Sequence, residues 1–95
     1  MNARLVAHLR RQDPTRQQEP VGDPEAAYKI AQGYAALGDR VSALRVLRSS
    51  VAGGFFPYPY LRSDPLLEPL RREPELAEIL NIAQRRYQAF KDRFF

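Results

Sequence analysis

The chain contains no cysteine and no tryptophan, a single methionine and a single histidine, His8. Without thiols there is no disulfide, no thiolate nucleophile and no cysteine metal site, and the redox compartment stays open. A lone imidazole on so short an element reads as a surface or packing residue, not as a ligand or base. No apolar run approaches the roughly 20 residues that cross a bilayer. The opening residues, Met1 to Arg10, are too short and too charged for a secretion signal. These absences lead to the expectation of a soluble, cytoplasmic chain with no membrane partner. Lysine is scarce too, with 2 lysines against 13 arginines, a bias that often reflects GC-rich coding.

What is present suits one small domain. The 95 residues are 44% apolar and 27% charged, close to globular averages, and too few for a second core. A domain of this size hides only roughly 60–65% of the surface its unfolded chain exposes, so a partner or neighbouring domain is expected to contribute stability. The net charge of +4 arises from 15 bases and 11 acids. By segment, residues 1–22 hold 4 bases and 2 acids, residues 23–52 hold 4 and 3, and residues 53–95 hold 7 and 6. A nucleic-acid reader concentrates cations on one face. Here the doublets Arg10-Arg11, Arg71-Arg72 and Arg85-Arg86 read as solvated helix surface, and nucleic acid is not the expected partner.

Along the chain, residues 4–11 suggest a short helix with Leu5, Val6 and Leu9 on one side. Residues 12–24 hold three prolines and one aliphatic, Val21, and read as a linker. At Asp23-Pro24 a favoured N-cap, a first-position proline and Glu25 in the first turn predict a helix start. Ala27, Ile30, Ala31, Tyr34, Ala35 and Leu37 recur at helical spacing up to Gly38-Asp39, where the chain reverses. A second helix over residues 40–52 places Val41, Leu44, Leu47 and Val51 on one face, with Ala43 and Val46 beside it. Residues 23–52 therefore form an antiparallel hairpin.

The segment 53–63 then crowds Phe55, Phe56, Tyr58 and Tyr60 among Pro57 and Pro59, residues expected to forbid helix. It reads as an extended plug closing the end of the core; the other reading is an exposed docking strip, at the risk of aggregation. Asp64-Pro65 opens a short helix over 64–72 through Leu66, Leu67 and Leu70. A long helix over 74–94 carries Leu76, Ile79, Leu80, Ala83, Tyr87, Phe90 and Phe94 on one continuous apolar face. The hairpin is too short to cover all of that face, which makes Phe90, Phe94 and Phe95 the residues expected to meet a partner. The fold class is all-α.

Ala27, Ile30, Ala31 and Tyr34, then Gly38-Asp39, then Ala43 and Leu47 resemble the tetratricopeptide repeat, a helix-turn-helix unit of roughly 34 residues. Ala27 stands where the repeat usually has tryptophan, Ser50 where it has a late alanine, and Phe55 where it has a closing proline. The continuation through Gly54–Leu61, Asp64–Arg71 and the helix after Pro74 resembles the C-terminal end of repeat arrays in large bacterial signalling proteins, among them serine/threonine kinases and winged-helix regulators. The resemblance covers residues 23–95 and implies a terminal repeat followed by a capping helix. It further implies a ligand groove along the first helix, at Glu25, Tyr28, Gln32 and Ala36, with Lys29 as the nearby cation. Solenoids need about three repeats for stability. Either the long last helix closes both open faces, or residues 4–11 stand in for an upstream helix, or the chain belongs on something larger.

Catalytic sets are missing. Ser42, Ser49, Ser50 and Ser63 have no local histidine, and Gly53-Gly54 follows a helix C-terminus, the wrong end to hold phosphate. The carboxylates Glu68, Glu73, Glu75 and Glu78 read as ion-pair partners of arginine, not as a metal site. No enzyme activity and no cofactor are expected. The leading expectation is an interaction module that holds a protein or peptide, a second copy or an upstream domain through apolar helical surface. The rivals are a structural solenoid cap with no ligand of its own and, third, a weak basic nucleic-acid binder.

Overall fold

A computed structural model describes residues 3–16 and 22–95. The described residues are all-α: α1 (Ala3–Gln12), a 3-10 turn (Pro14–Arg16), α2 (Pro24–Leu37), α3 (Arg40–Ala52), α4 (Tyr58–Ser63), a 3-10 helix (Pro65–Leu70) and α5 (Pro74–Phe94).

The hairpin forms where local chemistry calls for it. Asp23 caps α2 by accepting from the Ala26 amide at 3.1 Å, with Pro24 in the first turn, where no amide donor is needed. Gly38 ends the helix at φ 82°, a left-handed conformation in which a Cβ would be strained. Asp39 then caps α3 through the Ser42 amide at 3.1 Å. Ala27, Ala31 and Ala35 meet Ala43, Val46 and Leu47, all buried, so the two backbones approach closely. Ser50 has a specific use: its buried hydroxyl donates to the Pro24 carbonyl at 2.6 Å and pins the end of α3 to the start of α2.

The C-terminal half closes over this hairpin. Leu61, Leu67 and Leu70 enter the same core, as do Leu76, Ile79 and Ala83 of α5. The 21 residues of α5 run about 31 Å at 1.5 Å per residue, against about 20 Å for the 13 residues of α3 on which it packs. The excess length lies at the C-terminal end, beyond the last buried residue, Ala83.

Several expectations need correction. Residues 53–63 are not extended throughout, since Tyr58–Ser63 is helical. Pro57 is its N-cap and Pro59 lies in its first turn, where a missing N–H costs nothing. Residues 12–24 are not uniformly linker: Gln12 continues α1, Pro14–Arg16 form a 3-10 turn, and Asp13 is buried. Ordering there comes from hydrogen bonds to a carboxylate, which a count of apolar residues overlooks. Val21 and the rest of 17–21 lie outside the described residues. The short helix after Asp64 is a 3-10 helix with Pro69 inside it. Val41 is 77% exposed, so it does not belong to the core face assigned to it. Conversely, Ile82 packs against the core without having been counted on the α5 face.

Candidate functional site

The face of α2 that the repeat resemblance marks as a groove is partly filled by the chain itself. Tyr28 is 2% exposed, which corrects the expectation that it stands open to solvent in the groove. Its ring lies 5.0 Å from that of Phe55 and 5.9 Å from that of Tyr60, and its hydroxyl donates to Asp64 Oδ2. Gln32 Nε2 donates to the same oxygen at 2.7 Å, and the Leu66 amide to Oδ1 at 2.9 Å. Arg71 Nη2 reaches the Asp64 carbonyl at 2.9 Å. Burial disfavours the charged Asp64 carboxyl, but the donors from Tyr28, Leu66 and Gln32, aided by the Arg71 charge, hold its pKa below the ordinary aspartate range. Asp64 was legible as a helix cap, yet nothing in its spacing disclosed that it also receives a tyrosine from a helix 36 residues earlier.

What remains open above this floor is a hollow of about 260 Å³ lined by Glu25, Tyr28, Lys29, Gln32, Phe55, Pro57 and Tyr60. Glu25 and Lys29 are exposed there and Gln32 is half-buried; Ala36, one turn further along α2, is exposed outside it. A second hollow, about 320 Å³, lies between Gly54–Pro57 and the α5 residues Tyr87 and Phe90. Phe55 and Pro57 line both, so this segment forms the ridge between them. Phe55, Phe56 and Tyr58 are half-buried against the core in the manner of a plug, while Tyr60 turns outward at 52% exposure.

The end of α5 carries an aromatic cluster. The Phe90 ring lies 4.9 Å from Phe94, 6.1 Å from Phe95 and 6.2 Å from Phe56. Phe90 and Phe94 of α5 and Phe95, its C-cap, are 43%, 62% and 94% exposed. Cations border them: Arg86 stands 4.8 Å over Phe56, Arg93 5.5 Å over Phe94, and Lys91 5.6 Å over Tyr87. Arg86 also donates to the Val51 and Ala52 carbonyls at 2.6 and 2.9 Å, capping the C-terminal end of α3.

A second buried aspartate mirrors the first. Asp13 Oδ1 accepts the Thr15 amide at 2.9 Å and the Thr15 hydroxyl at 2.5 Å. Its Oδ2 accepts Tyr34 Oη and Arg45 Nη2, each at 2.9 Å. Burial again opposes ionisation, and the donors from Thr15, Arg45 and Tyr34 outweigh it, so the carboxyl titrates below its ordinary value. Each aspartate thus precedes a proline, caps a 3-10 element and takes a hydroxyl from α2. The repeated Asp-Pro dipeptide was the available signal, at Asp13-Pro14, Asp23-Pro24 and Asp64-Pro65.

The tyrosines bear the opposite shift. Burial, followed by the bond donated to Asp13, pushes Tyr34 up to about 12, and burial with the bond to Asp64 raises Tyr28 as well. An unfolded tyrosine ionises near ~10. The native state therefore keeps protons that the unfolded chain has lost, and stability is expected to fall as pH rises above about 10. Urea midpoints measured from pH ~8 to ~11 check this, with the Tyr28→Phe/Tyr34→Phe double variant showing the shallower fall. A wild-type midpoint independent of pH over that window contradicts it.

Glu73 pairs with Arg40, Glu75 and Glu78 with Arg48, and Glu68 with Arg71, so α3 supplies most of the arginines that these carboxylates meet. Among the described residues no group of histidine and carboxylates is arranged to hold a metal ion. Ser50 and Ser63 donate to backbone carbonyls, and His8 lies on the exposed side of α1. No helix among the described residues is long and apolar enough to cross a membrane. No protein-family model, curated protein or solved structure matches the chain.

Proposed function

We propose that this chain is a non-catalytic, tetratricopeptide-like interaction module that holds a protein or peptide segment on the aromatic surface running from the Phe55–Pro57 ridge to the end of α5. The observation carrying this reading is the cluster of Phe90, Phe94 and Phe95, which stays exposed although every ring is in contact with another. Contiguous exposed aromatics of this kind mark interaction sites on soluble proteins. The hollow against Tyr87 and Phe90 adds a recess for an anchoring side chain. The rival reading, a structural cap without a ligand, draws support from the burial of Tyr28. Exposed Phe94 and Phe95 speak against it, since a cap turns a polar outer face to solvent.

The test is fluorescence anisotropy with labelled helical peptides of about 16 residues that share one apolar face and differ only in flanking charge, basic, neutral or acidic. At least one peptide is expected to bind saturably, and Phe94→Ala to weaken it by about tenfold, the effect of losing a contact worth above ~1 kcal/mol. Binding by none of the peptides, with the circular dichroism of the chain intact, rejects the module reading.

A further inference from the structure

Resting on that reading, we infer that the segment held at the end of α5 is an acidic amphipathic helix. Charge is segregated along α5. Its first turns carry Glu73, Glu75 and Glu78, already paired with Arg40 and Arg48 of the hairpin. From Asn81 to Phe95 the order inverts, and Arg85, Arg86, Lys91 and Arg93 stand against the single acid Asp92. Among the described residues no ion pair engages any of these four cations. The excess charge that looked evenly spread when residues 53–95 were counted together is therefore gathered at one end of one helix.

Three of the four cations also occupy the positions that a partner would use, while Arg85 falls on the far side of the helix with Asp92. At about 100° per residue, Tyr87, Phe90 and Phe94 form a single row along the helix. Lys91 lies on one flank of that row, over Tyr87, and Arg86 and Arg93 lie on the other, over Phe56 and Phe94. Asp92 points to the far side, where it accepts from Gln88 at 2.8 Å. An aromatic row with positive borders is complementary to a helix whose apolar stripe is edged by aspartate and glutamate. The row from Tyr87 to Phe94 spans about 10 Å, two helical turns, which matches side-chain anchors spaced at i, i+3 or i+4, and i+7. A second copy of the chain fits this surface poorly, because a two-fold contact sets each cationic border against its own image.

The experiment uses the full 95-residue chain and the three peptides above, with vesicles containing about 30% phosphatidylserine as a further arm. The acidic peptide is expected to bind at least about tenfold more tightly than its basic twin at low salt, and to weaken as salt rises. Lys91→Glu/Arg93→Glu is expected to reverse that preference, and Phe94→Ala to weaken both peptides. Equal binding of acidic and basic peptides overturns the inference while leaving the module reading intact. Saturation that survives Phe94→Ala but is lost on Tyr60→Ala overturns the inference and, by moving the site to the α2 hollow, the placement of the module's surface at the end of α5 with it. Binding to vesicles but to no peptide overturns it in favour of a lipid surface, and sedimentation as a dimer that excludes the acidic peptide overturns it in favour of a second copy.

Discussion

Replacing Asp64 by alanine is expected to cost about 3 kcal/mol and to lower the thermal midpoint by about 12–24 °C, because one carboxylate satisfies three donors at the junction of the two halves of the chain. Tyr28 and Gln32 come from α2, and the Leu66 amide opens the 3-10 helix whose Leu67 and Leu70 enter the core. Alanine leaves a buried tyrosine hydroxyl without an acceptor and removes a cap as well. The loss should be global, since Tyr28 stacks between Phe55 and Tyr60 and lies in the same buried cluster as Leu61. Circular dichroism melts read it directly, and a midpoint shift below about 4 °C would mean that the junction does not depend on this carboxylate.

Asparagine at the same site discriminates charge from shape. Its carbonyl oxygen can take the place of Oδ1 and accept the Leu66 amide, leaving its NH₂ where Oδ2 now receives Tyr28 and Gln32. A phenol hydroxyl can accept as well as donate, and a glutamine amide can turn its oxygen inward. Both partners thus adapt, and Asp64→Asn is expected to lose only about 1 kcal/mol, the charge-assisted part of the interaction.

The hairpin was legible because each of its signals is local. An N-cap aspartate, a first-turn proline and a left-handed glycine act within a few residues, and the alanines that let α2 and α3 approach recur at helical spacing. The uncovered end of α5 was legible too, as a mismatch of lengths between an apolar face and the hairpin beneath it. Failures came where one residue serves two elements. Tyr28 sits at a position that faces outward in the repeat it resembles, but Asp64, far along the chain, turns it into core. Proline was read as a helix breaker in Pro57 and Pro59, whereas at a helix start the same missing donor is harmless. Val41 has the right spacing for the core face of α3 but lies in its first turn, on the rim of an open hollow with Glu73 and Pro74, and stays exposed. Charge segregation was hidden by the size of the window over which charges were counted.

At Asp13 the same chemistry should give a different outcome, a local release. The α1 arm is held by few contacts: Leu9 is its one buried residue, seated over Gly33 where a Cβ would stand 2.7 Å from Leu9 Cδ2. A polar tie is added at Asp13, which joins the arm to Tyr34 of α2 and Arg45 of α3, beside the Thr15 hydroxyl that accepts from Arg45 Nε at 2.7 Å. Once that tie is cut, the arm can leave and Tyr34 and Arg45 can meet water, so the penalty is capped by the free energy of docking the arm. Asp13→Ala is expected to cost about 2 kcal/mol, raising the open population of the arm about thirtyfold with little change in the melting of the hairpin. Amide exchange and limited proteolysis confined to α1 would register this, and uniform exposure across α2 and α3 would contradict it. Asparagine should rescue less completely here. Its oxygen can keep the Thr15 donors and its NH₂ can donate to the Tyr34 hydroxyl, but the Arg45 guanidinium on the same side can only donate, so Asp13→Asn should fall between the wild type and the alanine variant, nearer to alanine than Asp64→Asn is to its own. Acid acts through the same contact. With its carboxyl titrating below the ordinary aspartate value, Asp13 contributes stability that is present above about pH 4 and lost as pH falls through the folded-state pKa. Release of α1 below about pH 4, ahead of loss of helical signal from the rest of the chain, is the expected order. Simultaneous loss would place Asp13 inside the global core.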